Sequence, residues 1–359
     1  MIRLWVVQIL AVLRLEMRKT FFARRGLWVY LLAIAPVILF AAHSINGPRR
    51  QAQLQRTAAL HPVNKWAMLL IRSGMTREQV EKRLGQPYWK HTEFRRVGPT
   101  QQLRRDEYRY TDGSADMRVW FFDEKVVRIN RFEPRSLDDD NTVFATIFQF
   151  YYLRLAIFFG CVGVFTNLFR GEMIDKSLHF YLLTPMRREV LLAGKFIAGL
   201  IATVVIFTTG TLLQWVAMLW QYHGPPLTAY LHGPGWGHFA GYLGVTALAC
   251  AGYGSVFLAV GLVFRNPIIP AAIILVWEGA NLFVPPSLKV LSVIYYLQSL
   301  CPVVAEVQSD LSTPLQLLMA SADPPGAAVA LGGILVVTGL LLVYSGWRAR
   351  KLQINYGTE

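Results

Sequence analysis

Six long apolar runs constrain this chain more than any other feature of it: Gly26 to Ile45, Val143 to Phe169, Phe196 to Trp220, Phe239 to Phe264, Ile268 to Val284, and Gly326 to Trp347. Each is close to the ~20 residues that a helix rising about 1.5 Å per residue needs to cross a bilayer. With 54% hydrophobic and only 16% charged residues among 359, the chain is too apolar for a soluble globule. The fold expected is an all-α polytopic membrane protein with six transmembrane helices. The fifth run is short and the second and third are long, so tilt or kinks are expected. Pro36 in the first run is tolerable where neighbouring helices re-satisfy the freed backbone.

Basic residues set the expected orientation. Arg3, Arg14, Arg18, Lys19, Arg24 and Arg25 precede the first run, and Arg348, Arg350 and Lys351 follow the last. The connector after the second run carries Arg170, Lys176, Arg187, Arg188 and Lys195, and the one after the fourth carries Arg265. The 221–238 loop has neither Lys nor Arg, and the 285–325 loop has only Lys289. Short loops rich in Lys and Arg stay cytoplasmic. Both termini, including the tail 348–359, and the Arg170 connector are therefore expected in the cytoplasm. Ahead of the first span (26–45), residues 1–25 read as a cytoplasmic amphipathic helix in the inner headgroup region. Arg3, Arg14, Arg18 and Arg25 form one stripe, and Leu4, Trp5, Ile9, Leu10, Leu13 and Phe21 cover much of the rest. A cleaved signal peptide fits less well, because the basic region is long and the apolar run reaches span length.

Residues 46–142 are hydrophilic and basic, yet alternation of the spans places them outside. Long loops translocate largely regardless of charge. The net charge of +14 is thus read largely as topological signal, with no nucleic-acid motif beside it. Thr76 with Gln79 makes a capping box, Val80 and Leu84 a short apolar face, and Gly85 then Pro87 a stop. Strand-like runs follow at Leu103 to Tyr110, Met117 to Phe122 and Val126 to Phe132, with turn signals at Asp112-Gly113 and Asp123-Glu124. A small α+β extracytoplasmic domain is expected. The pattern Gly74-Met75-Thr76, Leu84-Gly85-Gln86-Pro87, Tyr110 and Val119 to Val127 resembles the SmpA/OmlA (BamE-like) domain of envelope lipoproteins. That resemblance implies a protein-interaction module, with an envelope protein as its partner.

Between the second and third runs, residues 170–195 form a charged, helix-competent connector with apolar residues among the charges, far longer than a simple turn requires. Glu172, Leu178, Leu182, Leu183, Pro185, Arg187, Arg188 and Gly194-Lys195 resemble the connector of the permease subunit of type-2 ABC exporters, with Lys176-Ser177 where that family usually has Gly-Thr. The resemblance implies a coupling helix that docks on a separate ATP-binding subunit, through Leu178, Tyr181, Leu182 and Leu183, with Pro185 as the break and Arg187 and Arg188 as inner-surface anchors. It also implies a second permease copy, and ATP with Mg held by the partner chain. This chain has no Gly-x-x-x-x-Gly-Lys-Ser/Thr loop and is read as having no cofactor and no catalytic residue of its own.

The stretch 143–347 thus holds five spans, the 170–195 connector and an amphipathic external segment, 287–305, with Leu288, Leu291, Ile294 and Tyr295 at helical spacing. Glu278 in the fifth run, with Asn281 one turn on, is a candidate for the translocation path or for structural pairing, since an intramembrane carboxylate is costly. Gln214 in the third run is a second candidate for the path, among Thr203, Thr208, Thr209 and Thr211, all of which interhelical hydrogen bonds explain equally. Arg154 is expected to snorkel to the outer headgroups. Cys161, Cys250, Cys301 and the scattered histidines show no metal spacing. Two function classes follow. One is an ATP-driven exporter subunit in a bacterial cytoplasmic (inner) membrane, with membrane lipids around it and no nucleic acid. The other is a membrane-anchored envelope assembly or sensing protein acting through residues 46–142.

Overall fold

The computed structural model describes residues 2–22, 26–96, 102–174, 186–264, 266–280, 285–305 and 325–351. The chain divides into two compact units, residues 1–41 with 139–359, and residues 42–138.

The first unit is helical. Helix α1 covers Ile2–Phe22, and α2 covers Leu27–Leu60, of which the part to residue 41 belongs here. Helix α5 (Leu137–Ile147) continues through wide π-type turns over Phe148–Ile157 into α6 (Phe158–Ile174). Then come α7 (Arg188–Leu219), α8 (Pro225–Tyr230), α9 (Trp236–Val263), α10 (Ile268–Gly279), α11 (Pro286–Lys289), α12 (Val293–Ser299) and α13 (Ala327–Arg350). Five stretches are long and apolar enough to cross a membrane: Leu27–Leu60, Leu137–Phe169, Arg188–Leu219, Pro225–Val263 and Ala327–Arg350. The expected fifth run is described only in part. Its described helix, α10, has 12 residues. At about 1.5 Å each these cover roughly 18 Å, short of the ~30 Å hydrocarbon core.

Helix α9 lies at the centre of this unit, packed on α6, α7 and α13. Small residues set the spacing, as they do where helices pack without a hydrophobic drive between them. A methyl group on Gly254 would sit 2.5 Å from the Phe165 ring. An aromatic ladder fills the interior beside it, with Phe148 against Tyr242 at 4.7 Å and Phe158 against Phe257 at 4.9 Å between ring centroids, both edge-on. The outer face of α13 exposes Leu331, Leu335, Val336, Leu340 and Val343, which is the surface that lipid or a partner helix would cover. Charged ends let the helices overrun the apolar runs. Helix α5 starts at Leu137 with three aspartates in its first turn, where a helix N-terminus favours negative charge. Asp140 there accepts from Tyr222 (2.8 Å) and Gln221 beyond the far end of α7.

The 287–305 segment contains two short helices, α11 and α12. Ser292 caps the second, and the buried residues are Val293, Ile294, Tyr296 and Leu297, while Leu288 and Leu291 of the expected face are exposed.

The second unit holds α3 (Lys65–Leu69), α4 (Arg77–Leu84) and an antiparallel sheet in the order β1-β2-β3-β4: Trp89–Arg96, Gln102–Thr111, Asp116–Phe122 and Lys125–Phe132. Helix α4 carries the Thr76/Gln79 capping box, closed in both directions, and ends at Gly85 with φ +76°. Asp123 and Glu124, both at positive φ, make the two-residue turn between β3 and β4. Val80, Leu84, Tyr108, Tyr110, Met117, Val119, Phe121 and Val126 form the core. Asp106, inside that unit, accepts from Thr92 Oγ1 (2.6 Å) and Arg104 Nε (3.2 Å) and pairs with Arg77. Strand β1 has no counterpart among the strand-like runs of the sequence. It is an edge strand whose residues stay mostly exposed, so it lacks the alternation that marks the others.

Candidate functional site

The connector is flanked by helix on both sides. Helix α6 runs on to Ile174 and so includes the backbone of Glu172. Leu178, Tyr181, Leu182, Leu183 and Pro185, the expected docking face and break, lie outside the described residues. Arg187 holds the extended N-cap position of α7, and Arg188 and Glu189 open its first turn.

Around that opening the helices of the first unit are pinned together. The Arg187 guanidinium lies over the Trp5 ring of α1 at 5.0 Å. Arg188 Nη1 donates to the Arg350 carbonyl (2.9 Å), one of the last carbonyls of α13, which a helix C-terminus leaves without an internal partner. Arg350 in turn pairs with Glu189. Two turns into α7, Gly194 allows α1 to come close; a methyl group there would lie 2.9 Å from Val12.

Lys195 is the buried centre of this junction. Its Nζ donates to Glu16 Oε1 of α1 at 2.7 Å and to the Leu168 carbonyl of α6 at 2.9 Å, and it lies 5.5 Å from the centre of the Phe169 ring. Both ionic side chains are shielded from solvent, at 0% and 4% exposure. A buried pair of this kind contributes little net stability over apolar packing, but removing one member strands the other's charge. Three helices thus meet on one ammonium group. The Gly194-Lys195 step in the sequence has a physical meaning that spacing alone does not convey. Glu16 carried no sequence signal of its own; its place in the series Trp5, Ile9, Val12, Glu16 along one face of α1 is the one clue.

Of the candidate path residues, Glu278 and Gln214 fall among the described residues. Glu278, at the end of α10, accepts from Val293 N (3.0 Å), Ile294 N (2.8 Å) and Ser292 Oγ (2.9 Å), with Tyr253 Oη at 3.5 Å. Its carboxylate therefore closes the N-terminus of α12, where backbone amides and the helix dipole favour negative charge. Of its two expected roles, the geometry supplies the structural one. Arg154 is not simply directed at headgroups. It is partly buried and lies over the Phe150 ring at 5.1 Å. Gln214 is fully buried, and its amide atoms have no hydrogen-bond partner among the described residues. Asn281 lies outside them. Thr203 and Thr208 bond back to carbonyls of their own helix, while Thr211 also meets Thr246 of α9 at 3.1 Å. Cys161 and Cys250 are buried and free, and Cys301 is free and partly buried. No group of His, Cys, Asp or Glu among the described residues could hold a metal ion.

Span-length apolar helices, joined at one end by a buried ion pair that holds an N-terminal helix against two of them, define a multi-pass membrane protein. The model of the ABC-2 family transporter protein matches residues 10–284, most of the chain, and the chain belongs to that family. It is thus a membrane permease component of an ABC transporter, a role that implies an ATP-binding partner. No curated protein and no solved structure matches it.

Proposed function

We propose that this chain is the permease subunit of an ATP-driven exporter, moved by a separate ATP-binding subunit that docks on residues 170–195. In this reading a second permease copy completes the membrane part and ATP with Mg is held by the partner. The protein lies in a bacterial inner membrane with both termini in the cytoplasm, and the α10 region completes a sixth span. Residues 46–142 then stand outside as an SmpA/OmlA-like module for an envelope protein.

The observation that carries the reading is the junction around Lys195. A push on the connector reaches α7 at Arg187 and Arg188. From there the ion pair, the Leu168 carbonyl and the Arg350 contacts pass it to α1, α6 and α13 as one body. Rigid-body transmission of this kind is how a soluble motor moves packed helices. The test is copurification in mild detergent with an ATP-binding subunit encoded beside this chain. The complex is expected to survive Arg105→Gln and to be lost when Leu182 and Leu183 are both changed to Asp. Failure of any ATP-binding subunit to copurify with the unmodified chain overturns the reading.

A further inference from the structure

We propose that the second unit holds a binding site for an oxyanion with two or more phosphate groups, in the cavity between residues 46–57 of α2 and the side formed by Tyr88, Arg109, Asp116 and Arg118. The cavity has a volume of about 890 Å³ and lies wholly within that unit. Pockets for small molecules fall at roughly 300–1,000 Å³, so there is room for more than one phosphate and for the group that carries them.

Its wall is unusual in charge. Five arginines, Arg49, Arg50, Arg56, Arg109 and Arg118, face a single carboxylate, Asp116. Asp116 is already engaged: it accepts from Arg50 Nη2 at 3.1 Å and from the Tyr88 hydroxyl at 2.9 Å, with Arg118 Nε 3.8 Å away. Burial and the Asp116 charge push the Tyr88 phenol up to about 12, so it remains a donor to that carboxylate at any physiological pH. Arg109 is held by Glu107 through Nε (2.9 Å) and by the Trp89 ring beneath it (4.0 Å), contacts that leave its two terminal nitrogens uncommitted among the described residues. Arg118 stacks over Phe132 at 4.8 Å, and its buried Nε has no hydrogen-bond partner among the described residues. Arg49 and Arg56, two turns apart on one face of α2, have no ion-pair partner among the described residues.

Gathering guanidinium groups in a concavity is unfavourable unless something negative enters it, and a buried donor without an acceptor costs free energy of its own. Stacking has already fixed Arg109 and Arg118, so little side-chain freedom remains to be lost on binding. The flat, forked guanidinium is the group best matched to phosphate oxygens. An ordinary solvated basic face would spread its arginines over a convex surface; here they converge. The basic character of this insert, which topology alone leaves unexplained, then has a use.

The test uses the full chain in phosphatidylcholine nanodiscs, with radiolabelled inorganic pyrophosphate as probe in equilibrium dialysis at physiological ionic strength. Saturable binding of one pyrophosphate per chain is expected, weakened about tenfold or more in Arg109→Gln/Arg118→Gln and in Arg49→Gln/Arg56→Gln. The second pair sits exposed on α2, outside the core, so its loss of binding cannot come from misfolding. Arg105→Gln, exposed and outside the cavity, should bind as the unmodified chain does. Discs containing cardiolipin separate the sources: competition with pyrophosphate assigns the phosphates to a lipid headgroup, and undiminished binding assigns them to a soluble anion. Absence of saturable binding, or equal binding by the Arg49→Gln/Arg56→Gln variant, overturns the proposal.

Discussion

Lys195 and Glu16 show what a single residue does in this protein and why sequence reveals it only in part. A lysine after glycine at the start of an apolar run reads equally well as a topological charge. Its burial follows from α1 folding back over Gly194, a long-range event that no local pattern records. The same holds for Glu16, a lone acid in a basic helix, whose pairing with Lys195 no local pattern announces. Lys195→Ala should destabilise the folded protein in detergent by about 3 kcal/mol, because it removes the buried cation that bonds both Glu16 and the Leu168 carbonyl. Replacing both groups, Lys195→Met with Glu16→Leu, should recover most of that loss. The measurement is thermal or denaturant unfolding of the two single variants and the double one. Additive losses would show that the two groups do not interact in solution.

At the scale of elements, most of what carries a periodic signal was legible. The apolar runs are helices, and three strand-like runs are β2, β3 and β4. Elements defined by a partner rather than a pattern were not. Edge strand β1 presents mostly exposed residues and is fixed by its pairing with β2, and α12 exists as a separate helix because Ser292 and Glu278 close its N-terminus. The candidate site was legible to the same degree: Arg187, Arg188 and Glu278 could be singled out as costly or well-placed charges, but their partners could not. Capping by Glu278 gives a sharp expectation. Glu278→Ala orphans the amides of Val293 and Ile294 and should cost roughly 2–4 kcal/mol, whereas Glu278→Gln keeps an acceptor oxygen and should cost less. Hydrogen exchange at those two amides should accelerate strongly in the Ala variant and mildly in the Gln variant. Equal protection in both would remove Glu278 from this role.

The whole molecule joins two units with separate cores of different physical character, one built of apolar helices and one of a sheet stabilised partly by buried charge. Their division was legible as a polar insert between apolar runs, since composition changes sharply at those points. The charge network inside the sheet unit was not, because it depends on register. That network predicts how the protein responds to acid. Burial pushes the Asp106 carboxyl up, but hydrogen bonds from Thr92 and Arg104 and the charges of Arg77 and Arg104 outweigh it and hold the carboxyl below the ordinary value of 3.8. A carboxyl with a lower pKa folded than unfolded stabilises the fold fully above its unfolded value. That contribution is lost as pH falls through 3.8 towards the folded value. The sheet unit should therefore unfold in denaturant at a midpoint that drops as pH is lowered below about 4, while the helical unit, monitored by helical circular dichroism, changes much less. Asp106→Asn should lower the sheet midpoint at neutral pH and flatten its dependence on acid, leaving the helical transition in place. One shared transition, displaced as a whole by Asp106→Asn, would show that the two units unfold as one.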